Sequence, residues 1–126
     1  MESAQLEVSL VGARRVQQIN RRFLKRDRVT DVISFPMDEK PSFPGVPWCL
    51  GEIFIATPVA CQQASRAGRN LTAQLIRLGV HGLVHLQGLD HERGEKARKV
   101  FERRERRYLK FLHSKGLSPW DGLLQF

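Results

Sequence analysis

One eleven-residue window constrains this chain more than any other: His81-Gly82-Leu83-Val84-His85-Leu86-Gln87-Gly88-Leu89-Asp90-His91. It holds three of the four histidines in the sequence. His81 and His85 stand at i and i+4, so one face of a helix presents both imidazoles about a turn apart. Gly88 can take a positive φ and end that helix. The chain then turns back and brings His91 to the same point. Three neutral imidazoles converging from a helix and the turn after it suit a divalent metal, with Zn²⁺ the first choice for such donors. The bland alternative is three unrelated surface or core histidines, placed at this spacing by accident. A structural zinc is the second alternative, but such sites usually close with four protein ligands, often cysteines. No cysteine is near in sequence, and His113 sits at the far end of a later helix. Three ligands with an open fourth position is the catalytic arrangement.

The spacing H-x-x-x-H-x-x-G-x-x-H also occurs in metzincin proteases, which place a glutamate directly after the first histidine as general base. Here that position is Gly82. A peptidase reading therefore loses its base.

The rest of the chain supplies a frame for this window. Leu6, Val8 and Leu10 alternate with Glu7 and Ser9, a strand pattern. Val16, Ile19 and Phe23 then fall at helical spacing on a helix with a basic outer face. Val32, Ile33 and Phe35 predict a second strand closed by Pro36, and Leu50–Ala56 a third. The proline-rich stretch from Met37 to Trp48 reads as a loop. Thr57-Pro58 starts a helix, with the Thr57 hydroxyl as N-cap and Pro58 at N1, and Gly68 stops it. A further helix begins at Asn70 or Leu71 and ends before Gly88. The last covers about Gly94 to His113, with Ala97, Val100, Phe101, Arg104, Tyr108, Phe111 and Leu112 on its inner side. This order predicts an α+β fold with a small sheet and packed helices. The metal site would lie on a helix and the turn after it. A length of 126 residues fits one domain, residues 1–126.

Charge adds a hint about partners. There are 21 Lys and Arg against 13 Asp and Glu, a net charge of +8. Such a surface attracts phosphates or anionic membranes without choosing between them. Residues Arg93 to Lys110 alone hold nine basic residues against three glutamates. The pairs Glu95–Lys99 and Glu102–Arg106 at i, i+4 account for some of these charges but not for the surplus. No apolar run approaches the ~20 residues of a membrane span, and the first residues form no signal peptide. A cytoplasmic location is expected, with Cys49 and Cys61 as reduced, buried thiols.

The His81–His91 window resembles the signature of the YbeY family, metal-dependent endoribonucleases of ribosomal RNA maturation. Two further blocks agree. Thr30-Asp31-Val32-Ile33-Ser34-Phe35-Pro36 resembles the family's T-[DN]-V-L-S-F-P segment, and Leu50-Gly51-Glu52-Ile53 its L-G-[DE]-I strand. Asn20, ahead of Lys25-Arg26-Asp27-Arg28, also falls where the family has asparagine. The resemblance implies a mixed sheet with helices packed on it and zinc on His81, His85 and His91. It implies cleavage of single-stranded RNA, including trimming near the 3′ end of small-subunit ribosomal RNA, and a part in ribosome quality control. Its expected partners are ribosomal RNA and the small ribosomal subunit.

Two departures stand out. The family usually has an arginine directly after the aromatic residue at the Phe23 position, and here it is Leu24. The family also has another strand and helix before the segment at Leu6. Without them the sheet is expected to show an exposed edge.

The remaining candidates follow from the chemistry. A cation should face the charge developing on phosphorus. Arg77 lies one turn before His81 on the same helix face, and Lys25 and Arg26 flank the Leu24 position. All three are candidate RNA contacts, though for each a solvated surface charge is the plainer reading. Asp90 is a candidate catalytic residue as an outer acceptor for a ligand imidazole, or else it caps the next helix. Glu52 is a weaker candidate base. Phe43 and Trp48 are candidates for stacking on unpaired bases, or core, which Trp48 fits better. RNA cleavage can proceed by activated water or by the internal 2′-OH. Three readings remain open: a zinc endoribonuclease, a metzincin-like zinc hydrolase, and a ribosome-associated RNA-binding metalloprotein of weak catalysis.

Overall fold

A computed structural model describes residues 4–25, 30–37, 45 and 48–117. Among the described residues three strands and four helices follow in order: β1 (Ala4–Val11), α1 (Ala13–Leu24), β2 (Val32–Pro36), β3 (Trp48–Ala56), α2 (Thr57–Ala67), α3 (Leu71–Leu86) and α4 (Glu95–Ser114). The sheet order is β1-β3-β2. β1 runs parallel to β3, and β2 runs antiparallel to it. The fold is α+β with a small mixed sheet.

Strand alternation sends neighbouring residues of β3 to opposite faces. Ile53 and Ile55 pack against Ala60 of α2 and Leu71, Leu75, Leu78, Leu83 and Leu86 of α3. Phe54, with Ile33 and Phe35 of β2, packs against Val16 and Ile19 of α1. Fully burying a side chain such as Ile53 or Ile55 stabilises by about 1.5–3 kcal/mol. A third cluster joins Val80 and Val84 of α3 to Phe101 and Leu109 of α4. The order of layers is thus α1, sheet, α2 with α3, then α4. α3 lies between the sheet and α4, which explains why it is apolar on more than one side.

Asp31, just before β2, ties several elements together. Its backbone carbonyl accepts from Ala56 N–H at 2.8 Å and its carboxylate from Val32 N–H at 2.8 Å. The same carboxylate accepts from Gln63 Nε2 on α2, and the Gln63 side-chain oxygen accepts from Gln74 Nε2 on α3. Arg69 donates to Gln74 at 2.6 Å. The aspartate of the Thr30–Pro36 block therefore has a structural job.

Several expectations need correction. Thr57 is not the N-cap of α2. Ala56 holds that place with no side-chain cap, because it is still paired with Val11 as a strand residue. On α4, Val100 and Phe111 are exposed, while Leu109 is buried. The helix is packed on one side only, so a narrower stripe suffices. On β1 Leu6 and Val11, both partly buried, pack against the core. Val8 and Leu10 are exposed at the sheet edge, 47% and 55%. Phe23 is 60% exposed and meets Phe35 edge-on at 5.6 Å. Both cysteines are free, but neither is the buried thiol expected: Cys49 is half-buried and Cys61 exposed. Arg26 and Phe43, and the side chain of Trp48, lie outside the described residues. No helix among the described residues is long and apolar enough to cross a membrane.

Candidate metal centre

α3 carries the first two imidazoles. Asn70 caps its start by accepting from Ala73 N–H at 2.8 Å, which satisfies one of the orphan donors of the first turn. The helix runs regularly from there to Leu86, so His81 and His85 stand one turn apart. Their ring centroids are 4.8 Å from each other. Gln87 closes the helix and Gly88 follows with φ 85°, the left-handed turn expected there. Asp90 accepts from Glu92 N–H at 2.9 Å, an Asx turn that shapes the return. His91 arrives with its ring 5.2 Å from both His81 and His85.

One ligand nitrogen from each ring lies within 4.8 Å of the others. Zinc–nitrogen bonds of about 2.0–2.1 Å put tetrahedral donors roughly 3.3 Å apart, so the nitrogens would draw closer to hold such an ion. All three rings are half-buried. Phe101 of α4 forms an apolar floor, with its centroid 4.9 Å from His81, 4.8 Å from His85 and 5.0 Å from His91. The donor set is three nitrogens. A ligand imidazole must be neutral, and burial pushes His85 below its ordinary pKa, with His81 and His91 adding to the shift. Asp90 and a hydrogen bond to the Leu89 backbone oppose it. The cluster can hold a metal ion.

Gly82 explains why no glutamate follows His81. It faces the sheet, where an added Cβ would lie 2.9 Å from Ile53 Cδ1 and 2.9 Å from Ser34 Oγ. The Ser34 hydroxyl donates to the Gly82 carbonyl at 3.2 Å. A larger side chain has no room there, and it would point into the sheet rather than at the imidazoles.

Around the rings, α4 supplies what the sequence reading missed. His81 Nδ1 lies 2.8 Å from the Glu105 carboxylate. Nothing in the local pattern marks Glu105, since it is 24 residues from His81. Arg77 shares a groove of about 410 Å³ between α3 and α4 with Glu102, Glu105, Arg106, Leu109 and Lys110. Burial and nearby Arg69 lower the Arg77 pKa, and Glu105 opposes the shift. Arg77 is thus beside the carboxylate that holds His81. Asp90 also pairs with Arg93 at 3.6 Å; it shapes the turn through Glu92 but does not cap α4, whose N-cap is Gly94 with no side-chain hydrogen bond. Gln87 joins α3 to α4, donating to Tyr108 and accepting from Arg104.

Other candidates are not brought to the cluster. Lys25 is the exposed C-cap of α1, with φ 56°. Glu52 lies on the α1 side of the sheet, in a pocket with Arg15, Ile19, Phe23, Phe35 and Phe54. The glutamates of α4 also pair differently from expectation. Glu95 and Glu102 both bind Arg98 rather than Lys99 and Arg106. Lys96, Lys99, Arg103, Arg106, Arg107 and Lys110 are exposed along the helix.

Comparison with known proteins places this geometry in a family. The family model described as Endoribonuclease YbeY matches residues 1–113. Endoribonuclease YbeY of Anaeromyxobacter dehalogenans is 40% identical over 102 residues, covering 81% of this chain and 51% of the relative. The protein of that name from Persephonella marina is 39% identical, covering 79% of this chain and 65% of its own length. The chain thus spans about half to two-thirds of these relatives. The solution structure of TM1509 from Thermotoga maritima superposes with a TM-score of 0.61 at 26% identity, over 90% of this chain and 71% of that one. With the three-histidine centre in place on α3 and its turn, the chain belongs to the YbeY family.

Proposed function

We propose that this protein is a zinc-dependent endoribonuclease that cuts single-stranded RNA. The observation that carries the reading is the convergence of His81, His85 and His91 within 4.8 Å in a chain of this family. These three residues are the proposed ligands. When bound, zinc supplies a Lewis acid for phosphoryl oxygen and activates water near neutral pH.

The chain's own residues do the rest. Phe101 shields one side of the rings from water. Arg77 brings positive charge to the groove beside His81, where a phosphate of the substrate can be held. Asp90 shapes the turn that delivers His91. The exposed basic residues of α4, with Lys25 and Arg26, hold the RNA backbone, and this binding weakens steeply with salt. In line with its family, the substrate proposed is small-subunit ribosomal RNA in the cytoplasm, during maturation and quality control of the ribosome.

The test is incubation with single-stranded RNA and, in parallel, with a peptide, each with and without chelator. RNA cuts that chelator abolishes and zinc restores are the expected result. Peptide cleavage, or RNA cuts indifferent to chelator, would contradict it. Exchange of Arg77 for Ala should weaken RNA binding or cleavage, and unchanged values for both would remove Arg77 from the scheme. One observation favours a second reading, an RNA-binding metalloprotein of weak catalysis: Leu24 occupies the place where an arginine is expected, and it is 45% exposed at the end of α1. RNA binding without cuts, even after zinc addition, would support that reading.

A further inference from the structure

α4 holds three glutamates within the described residues, and they do different things. Glu95 and Glu102 lie on the exposed side and neutralise Arg98. Glu105 turns inward to His81, with side-chain exposures of 24% and 28% for the pair. An ionised carboxylate only accepts hydrogen bonds. The Nδ1 of His81 must then carry the proton, which leaves the lone pair on Nε2. Free imidazole populates both tautomers, and a metal ligand needs one of them held.

Glu105 is not among the donors that converge, which are the three histidines alone among the described residues. It therefore sits outside the ligand set while touching a member of it. Arg77 in the same groove sets a positive charge near the carboxylate.

We propose that Glu105 is a positioning residue of the metal centre: it holds His81 as the Nδ1–H tautomer and directs Nε2 to the ion. The assignment rests on the metal-centre reading above and deepens it. Carboxylates behind ligand histidines typically change metal affinity by about 10–100-fold when removed.

The experiment uses the full chain as wild type, Glu105→Ala and Glu105→Gln. Two quantities are read: the ring-nitrogen NMR shifts of His81 without metal, and zinc affinity by competition with a chromophoric chelator. Wild type should show Nδ1 protonated. Glu105→Ala should mix the tautomers and weaken zinc by about 10–100-fold. Glu105→Gln keeps an acceptor oxygen, so it should hold the tautomer and bind zinc within about threefold of wild type. An unchanged tautomer and affinity in Glu105→Ala overturns the proposal. So does a Glu105→Gln protein as weak as Glu105→Ala, which would make Glu105 a ligand. If Glu105→Ala does not fold, Glu105→Gln decides alone, by the same tautomer and affinity limits. The tautomer is read without metal. A wild type that binds no zinc would therefore overturn the metal-centre reading and leave the His81–Glu105 assignment to its own result.

Discussion

The two sides of α3 differ in what they ask of the sequence. The side toward the sheet is close-packed and largely apolar. Gly82 lets the helix approach Ile53 and Ser34 so closely that even a methyl group meets atoms at 2.9 Å. One residue earlier, His81 points the other way, to His85, His91, Phe101 and Glu105. There the space is shared by imidazoles, one aromatic floor and a carboxylate. The difference shows how a short chain builds a precise site. The sheet side fixes the helix as a rigid scaffold, and the α4 side uses that rigidity to present the imidazoles.

This contrast can be broken from either side. The largest effect should come from Phe101→Ala, which removes a fully buried ring beneath all three imidazoles. It should cost about 3–5 kcal/mol in urea unfolding, and zinc affinity should fall with it. Unchanged zinc affinity in the folded variant would show that the aromatic floor does not support the rings. Next comes Gly82→Ala, on the sheet side. Its Cβ crowds Ile53 and Ser34, so about 1–3 kcal/mol of stability should be lost through overpacking. Zinc stoichiometry of the folded variant should stay at that of wild type. A loss of metal with no loss of stability would mean the two sides are not separable as described.

The smallest effect is one of pH. Burial, with His81 and His91, lowers the folded pKa of His85. The unfolded histidine titrates near about 6.5, so on acidification the unfolded chain takes up the proton first. The contribution is fully present above that value and is lost as pH falls through it toward the folded pKa. Metal-free protein should be more stable at pH 8 than at pH 5, and His85→Ala should flatten part of that slope. An equal slope in the variant would assign the dependence to other groups.

Local signals carried much of this architecture. The i, i+4 histidines, the glycine turn at Gly88 and the stop at Gly68 all depend on a few adjacent residues. The mixed sheet came with the family resemblance, since alternation alone does not orient strands. What was hidden depends on long-range packing. Glu105 meets His81 across two helices, and no spacing rule links them. Val100 and Phe111 match a helical stripe yet stay exposed, because α4 rests on α3 along one narrow line. Thr57-Pro58 looks like a cap and first turn, but pairing of Ala56 with Val11 extends the strand and moves the cap back by one. Glu52 lies in a matching block, but strand alternation alone puts it on the α1 side, away from the histidines.

The proposed centre depends on three histidines acting together. Native mass spectrometry after zinc loading tests that most directly, on wild type and on His81→Ala, His85→Ala and His91→Ala. One zinc per wild-type chain, lost in each folded variant, is the predicted result. Zinc retained at full stoichiometry and affinity in any of the three variants would contradict the proposed centre.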